Sequence, residues 1–507
     1  MPLQIAPVLP HPGGEGIFPA ESTVPLIFDT EGRRFHVEWD PQAAVTPLGQ
    51  LVFFSQFLAT SGLFRDWVKE CPLSYRSPNA PKITDLLGTI TLAILSGQWR
   101  YSHLSALRAD KVNPAGLGME KVCSEDSVRR AFQDEVPEPL AQWQLQHLLR
   151  SVEPALQHPW ILDLDVSVKP IYGHQEGAEA GYNPRHPGRP CHAYHTCFVA
   201  NLRLVLDVEV HPGKQHAPKH GFEGLWRLVD GLAAPLRPYL IRGDCAYGQE
   251  QLLMECEHRL RAYLFRLRQT PRVKELIRWL ERQGSWQPVG KEEWAKEGRL
   301  RLSGWTQERR VVVIRRQRSS TAAQPTDPLL DWPDLAQVPE ANYEYIVLVT
   351  NLDWELLALI DGYRQRTDAE NVYDELKNQW GWGGFTTRDL LRCQVAARNV
   401  ALIYNWWNLF VRLAEPERPR EAITSRPLLL CAVGQLKTHA GQTVLRLTSS
   451  HAEASRVQGL LTRLSLFLSG LCNTAEQLSP AQCWQRIYDR ILAPLLAPTA
   501  ALPASSG

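Results

Sequence analysis

The sequence predicts an α/β protein: a mixed sheet with helices, a β-rich insertion, and mostly helical regions at both ends. Three observations carry that prediction. Residues 51–149 repeat large apolar side chains at helical spacing, residues 160–266 alternate apolar and polar positions between short helical stretches, and a strand pattern returns at 345–350 beyond a tryptophan-rich segment. With 507 residues, 44% hydrophobic and 21% charged, the chain is long enough for about three packed units and too apolar for disorder over most of its length.

Residues 1–155 form the N-terminal, mostly helical part, with an irregular arm over the first forty. Phe53, Phe57, Phe64 and Trp67 recur near every 3.6 residues, Pro72, Pro78 and Pro81 interrupt, and a helix resumes at 84–99. Ser124-Glu-Asp-Ser-Val-Arg-Arg reads as a capped helix start with Ser124 as N-cap, Val128 and Phe132 inward, and Arg129 and Arg130 outward. Exposed arginines there suit helix-turn-helix DNA binding and equally a plain bundle with solvated charges. Residues 156–268 carry a strand at 160–168, a hairpin from 194–200 and 202–210, a helix at 225–236, a strand at 239–244, a helix at 249–260 and a strand at 261–266. Residues 269–342 are the expected β-rich insertion, with Trp279, Trp286, Trp294, Trp305 and Trp332 and a Pro/Ser/Thr/Ala-rich loop at 319–328. Residues 343–415 add a strand, one long helix at about 354–379 and an apolar helix at 394–413; residues 416–507 follow as a linker and a mostly helical tail.

No secretory pattern opens the chain, and the most apolar stretch, 86–95, is too short to span a bilayer. Ten scattered cysteines without a Cys-x-x-Cys pair fit reduced thiols, so a cytoplasmic protein without membrane contact is expected. Lys+Arg (55) against Asp+Glu (54) leave a net charge of +1, so any nucleic-acid binding must rest on local patches.

The predicted long helix is the most informative piece. At about 100° per residue, Tyr363, Arg366, Glu370 and Lys377 share one face about 60° wide. A salt-bridged solvent face would show the same stripe. Asp165 lies mid-strand among apolar neighbours, and Asp244 closes another strand; carboxylates there are costly unless paired or bound to metal. Three acids brought together repel unless a divalent cation neutralises them, and oxygen-only donors point to Mg²⁺ or Mn²⁺.

Strand-Asp, strand-Asp and helix-Glu, with Tyr363-x2-Arg366-x3-Glu370-x6-Lys377, resemble the DDE transposases of bacterial insertion sequences that carry the Tyr-Arg-Glu-Lys signature. Ile171-Tyr-Gly-His-Gln-Glu-Gly and Ser124-Glu-Asp-Ser-Val-Arg-Arg are also similar to that group. The resemblance implies an RNase H-like catalytic domain with a β-rich insertion between the second Asp and the Glu. It implies Asp165, Asp244 and Glu370 holding two Mg²⁺ ions for DNA cleavage and strand transfer, with Tyr363, Arg366 and Lys377 on phosphates. The implied partners are double-stranded DNA, as terminal inverted repeats and target, and a second copy of the chain. Asp163 stays an alternative first ligand; Asp165 is favoured because Ser167 follows it. In the insertion, Trp286, Trp294 and Trp305 either stack a flipped base or pack a small core, and Arg309, Arg310, Arg315 and Arg316 either track phosphates or are solvated.

Two rival functions stand beside this: a catalytically inactive, domesticated DNA-binding relative, and a metal-independent hydrolase using a carboxylate pair. The first would not need all three acids, and the second would not need Arg366 and Lys377 beside one. Trp380-Gly-Trp-Gly-Gly-Phe385 follows a helix, so it reads as a C-cap and turn and not a phosphate loop.

Overall fold

The structure, a computed structural model, describes residues 26–318, 343–416, 420–448 and 452–496, apart from 39, 41, 76, 78 and 134. The loop expected at 319–328 and Trp332 lie outside the described residues. The chain divides into two compact units, Met1–Ala44 and Val45–Gly507. In the first, β1 (Leu26–Asp29) and β2 (Arg34–Val37) form an antiparallel hairpin clamped by Arg34, which donates to both Asp29 oxygens at 2.7 and 3.0 Å.

The second unit opens with β3 (Val45–Thr46), then α1 (Leu51–Ser61), α2 (Leu63–Lys69), α3 (Ile83–Leu95), α4 (Leu104–Leu107), α5 (Asn113–Gly116), α6 (Glu125–Arg130) and α7 (Pro137–Leu156). Gly62 lets α1 end and α2 begin at once, because its φ of 71° suits a residue without Cβ. Ser124 caps α6 by accepting from the Ser127 amide, as expected. α6 runs six residues only, and α7 buries Leu140, Trp143 and Leu148.

The central sheet contains β4 (Ile161–Pro170), β5 (Glu179–Ala180), β6 (Pro190–Val199), β7 (Leu204–Pro212), β8 (Leu240–Gly243) and β9 (Ala262–Arg266). It continues through β10 (Gln287–Gly290), β11 (Glu293–Leu300), β12 (Arg309–Gln317) and β13 (Tyr343–Thr350). Their order is β10-β11-β12-β13-β9-β8-β4-β6-β5, with β7 also beside β6. β4, β6 and β7 run antiparallel, β4, β8 and β9 run parallel, and β13 returns antiparallel to β9. The helices α8 (Phe222–Gly231) and α9 (Glu250–His258) fall between strands, as the alternation predicts. The described part of the tryptophan-rich segment extends this same sheet, and it begins with a helix the sequence reading did not expect, α10 (Pro271–Arg282). Thr270 caps α10, Pro271 stands at its first position, and Val273, Leu276, Ile277 and Leu280 fill one buried face.

The expected single helix at 354–379 is two: α11 (Leu356–Arg364) and α12 (Thr367–Asn378). The Arg242 guanidinium donates to the Gly362 carbonyl, which would otherwise receive the Arg366 amide; that amide turns to Tyr363 O at 3.0 Å. The ladder tightens for one turn and the axis breaks there.

Behind the sheet lies α13 (Leu390–Ala414), buried nearly all round. Arg398 donates to both Asp207 oxygens at 2.8 and 2.9 Å, and Asn405 bonds the amide and carbonyl of Val205, so α13 is pinned to β7. Helices from both ends of the unit gather on it: Trp67 meets Trp406 edge-on at 5.5 Å and stacks on Trp143, while Phe54 tilts against Trp407. The tail adds α14 (Ala422–Leu429), β14 (Gly434–His439), β15 (Gln442–Leu447), α15 (Ala454–Cys472) and α16 (Pro480–Leu496). The β14–β15 hairpin is an element of this tail that the sequence does not lead one to expect. Ala440 and Gly441, both at positive φ, form the two-residue turn that strand twist favours. No helix among the described residues is long and apolar enough to cross a membrane.

Candidate active site

The pairing of β4 with β8 ends at Leu164 opposite Gly243, so Asp165 and Asp244 each stand one residue beyond the last paired position. Asp244 follows the carboxyl end of β8, and Asp165 lies within β4 where its parallel partner stops while its antiparallel neighbour β6 continues; open sheets bind ligands at such a switch point. The Asp244 carboxylate accepts from the Ala246 amide at 2.9 Å, and Asp165 accepts from Val166 at 2.8 Å.

Glu370 comes from α12 and keeps 67% of its side chain exposed. Between it and Asp165 lies the nearly buried Arg366, Nη1 3.6 Å from Glu370 and Nη2 3.7 Å from Asp165. Arg366 also donates to the Leu164 carbonyl at 3.3 Å. Burial, with the charge of Asp244 added, pushes the Asp165 carboxyl up to about 6, while Arg366 pulls the other way. Burial lowers the Lys377 amine, Arg185 adds to that, and Asp165 opposes it. Burial raises the Tyr363 phenol to about 12.

Asp165, Asp244, Glu370 and Lys377 all border one cleft of about 3260 Å³. Asp163 does not. It is sealed against Arg242 on β8 by two hydrogen bonds of 2.6 and 2.7 Å, so of the two aspartates on β4 only Asp165 faces the cleft. Among the described residues no three acidic, His or Cys side chains stand close enough together to hold an ion, because Arg366 separates Asp165 from Glu370. The donor set itself fits Mg²⁺ or Mn²⁺: hard oxygens only, and a desolvated Asp165 whose proton affinity is raised beside Asp244, a strain that a cation relieves.

The remaining predicted residues separate clearly. Arg129 pairs with Asp126 on an exposed face, and Arg130 is exposed beside it. Trp286, Trp294 and Trp305 do not border the cleft. Trp286 and Trp294 hold Arg315 at 4.4 and 5.4 Å, and Arg315 is also bound to Glu281 at 2.7 Å. Arg309 lies over Trp305 at 5.0 Å and is fixed by Glu250 and Glu257. Arg310 is taken by Glu297 and the carbonyls of Leu352 and Trp354. Arg316 pairs with Glu293 yet stays 60% exposed and borders the cleft. The sequence reading missed Lys169, Arg185 and Arg268, which also border it. For Lys169 a signal existed, the alternation Asp165-Ser167-Lys169 along one strand.

Residues 44–468 match the family described as "Transposase DDE domain group 1". No curated protein matches the chain. Among solved structures, the cryo-EM structure of a piggyBac transposase synaptic complex with hairpin DNA is similar at 10% identity and a TM-score of 0.38, over 92% of this chain and 90% of that one.

Proposed function

This chain belongs to the DDE transposases of group 1, and on that premise we propose that it cuts the ends of an insertion sequence and joins them to target DNA by two-metal phosphoryl transfer. The observation that carries this reading is the convergence of Asp165, Asp244 and Glu370, 126 residues apart between the last two, on one cleft with Lys377 beside them. Asp165, Asp244 and Glu370 are the proposed ligands of two Mg²⁺ or Mn²⁺ ions. When bound, the ions supply activation of the attacking water or 3′-hydroxyl and stabilisation of the leaving 3′-oxygen. Arg366 supplies fixed positive charge between two of the acids, and Lys377 offers a point charge to a phosphate beside the scissile bond. The strand order β7-β6-β4-β8-β9, three antiparallel and then two parallel, supports an RNase H-like core. Two copies acting on two DNA ends, with terminal inverted repeats as the recognised sequence, complete the proposal.

The experiment is Mg²⁺-dependent cleavage of a duplex carrying the nucleotides that flank the gene. Asp244→Asn is expected to abolish cleavage while leaving binding of that duplex largely intact; full cleavage by that variant rejects the assignment.

A further inference from the structure

We propose that Ser167 and Lys169 form a second anion site in the cleft, one that takes a backbone phosphate of the bound DNA away from the scissile position. The inference rests on the DNA-processing reading above and extends it to residues which that reading does not use.

The pairing of β4 with β6 runs without a register shift from Leu162 to Pro170, so Asp165, Ser167 and Lys169 fall on one side of the strand. At about 3.3 Å per residue they form a row stepping by roughly 6.6 Å, with Lys169 about 13 Å from Asp165. Ser167 and Lys169 both border the cleft. The Ser167 hydroxyl oxygen and the Lys169 ammonium nitrogen are both buried, and neither has a hydrogen-bond partner among the described residues. A buried ammonium without a partner is unfavourable, and an anion delivered from the cleft removes that penalty. Burial lowers the Lys169 amine to about 8, and no carboxylate counters it.

The turn at 380–385 explains why the lysine is held there. A Cβ on Gly383 would stand 3.4 Å from Lys169 Cε, so the turn packs along the lysine stem. The turn is itself locked to Trp99. The Phe385 amide donates to Trp99 O at 2.8 Å, and a Cβ on Gly384 would meet that oxygen at 2.4 Å. Lys169 thus borders the cleft with its stem walled in and its ammonium buried and without a partner among the described residues. A hydroxyl and an ammonium on one face of the same strand match the charge and the acceptor oxygens of a phosphodiester.

Two DNA sources share this chemistry, the transposon end and the target, and two duplexes separate them: one carrying the nucleotides that flank the gene, the other of unrelated sequence. Binding of the full chain to each is measured from low to moderate salt. For Lys169→Met, affinity on at least one duplex is expected to fall roughly tenfold at low salt, and the slope of log K against log[salt] to become shallower by about 0.9, the loss of one phosphate contact. Lys169→Arg restores the slope. A change confined to the flanking duplex assigns the site to the transposon end, and a change confined to the unrelated duplex assigns it to the target. The unfolding midpoint of Lys169→Met is expected to equal or exceed that of the parent, since the variant removes an unpaired buried charge. Unchanged affinity and slope on both duplexes overturn the subsite while leaving the DNA reading standing. A parent protein that binds neither duplex overturns both.

Discussion

Asp163 and Asp165 stand two residues apart on the same side of β4, each beside an arginine, and they differ in what covers them. Asp163 and Arg242 are each 1% exposed and joined by two short hydrogen bonds, with the Gly362 carbonyl taking a further arginine proton. Asp165 keeps 23% of its side chain accessible, and its arginine, Arg366, stands 3.7 Å off while also reaching Glu370. One pair is a closed structural joint between β4, β8 and α11. The other is a loose charge cluster at the edge of a cleft, held by Coulomb attraction and free to exchange partners. Position past the last β4–β8 pair, and not residue type, separates the two roles.

The largest expected effect that sharpens this contrast is on activity. Asp165→Asn should lower Mg²⁺-dependent strand cleavage by roughly 10³-fold or more, about 4 kcal/mol of barrier. Its unfolding free energy should not fall, and cleavage at the parent's rate would transfer the ligand role elsewhere. The closed pair should behave in the opposite way. Arg242→Met strands a buried carboxylate and is expected to cost about 3–5 kcal/mol in chemical denaturation. A loss below about 1 kcal/mol would show that the joint is not sealed.

A third test uses His195 on β6, a sealed position next to the catalytic strand. Burial and the neighbouring His211 hold its ring down to about 4, below the ordinary 6.5. A base whose folded pKa is depressed gives stability that is fully present above about pH 6.5 and lost as pH falls toward 4, at most about 3 kcal/mol. Unfolding measured at pH 7 and pH 4.5 should show this acid loss, and His195→Gln should flatten it. The smallest expected effect belongs to the open side: Lys377→Ala should slow strand transfer by about tenfold to a hundredfold. Its stability should stay within about 0.5 kcal/mol of the parent, and an unchanged rate would return Lys377 to a merely solvated role.

Much of the cleft's composition was legible in the chain. Asp165 within a strand, Asp244 just past one, and the spacing of Arg366, Glu370 and Lys377 follow from local periodicity, and the structure brings them to one place. The break between α11 and α12 was not legible. It depends on Arg242, more than a hundred residues away, taking the Gly362 carbonyl. The arginines of β12 were misleading for a similar reason. A basic cluster looks the same whether it faces phosphate or glutamate, and Glu250, Glu257, Glu281 and Glu297 reach it from α9, α10 and β11. Arg316, at the strand's far end, is the member left partly exposed on the cleft.

By itself the sequence determined most of the strands and helices of the central sheet, because side-chain period is a local property of the backbone, and it determined which acids and bases were available for chemistry. Only the folded chain decided which of them meet. Burial, the end of a strand pairing and the capture of a single carbonyl act between residues far apart in sequence, and they set Asp163 in a sealed joint, Asp165 on the cleft and Lys169 beneath it without a partner.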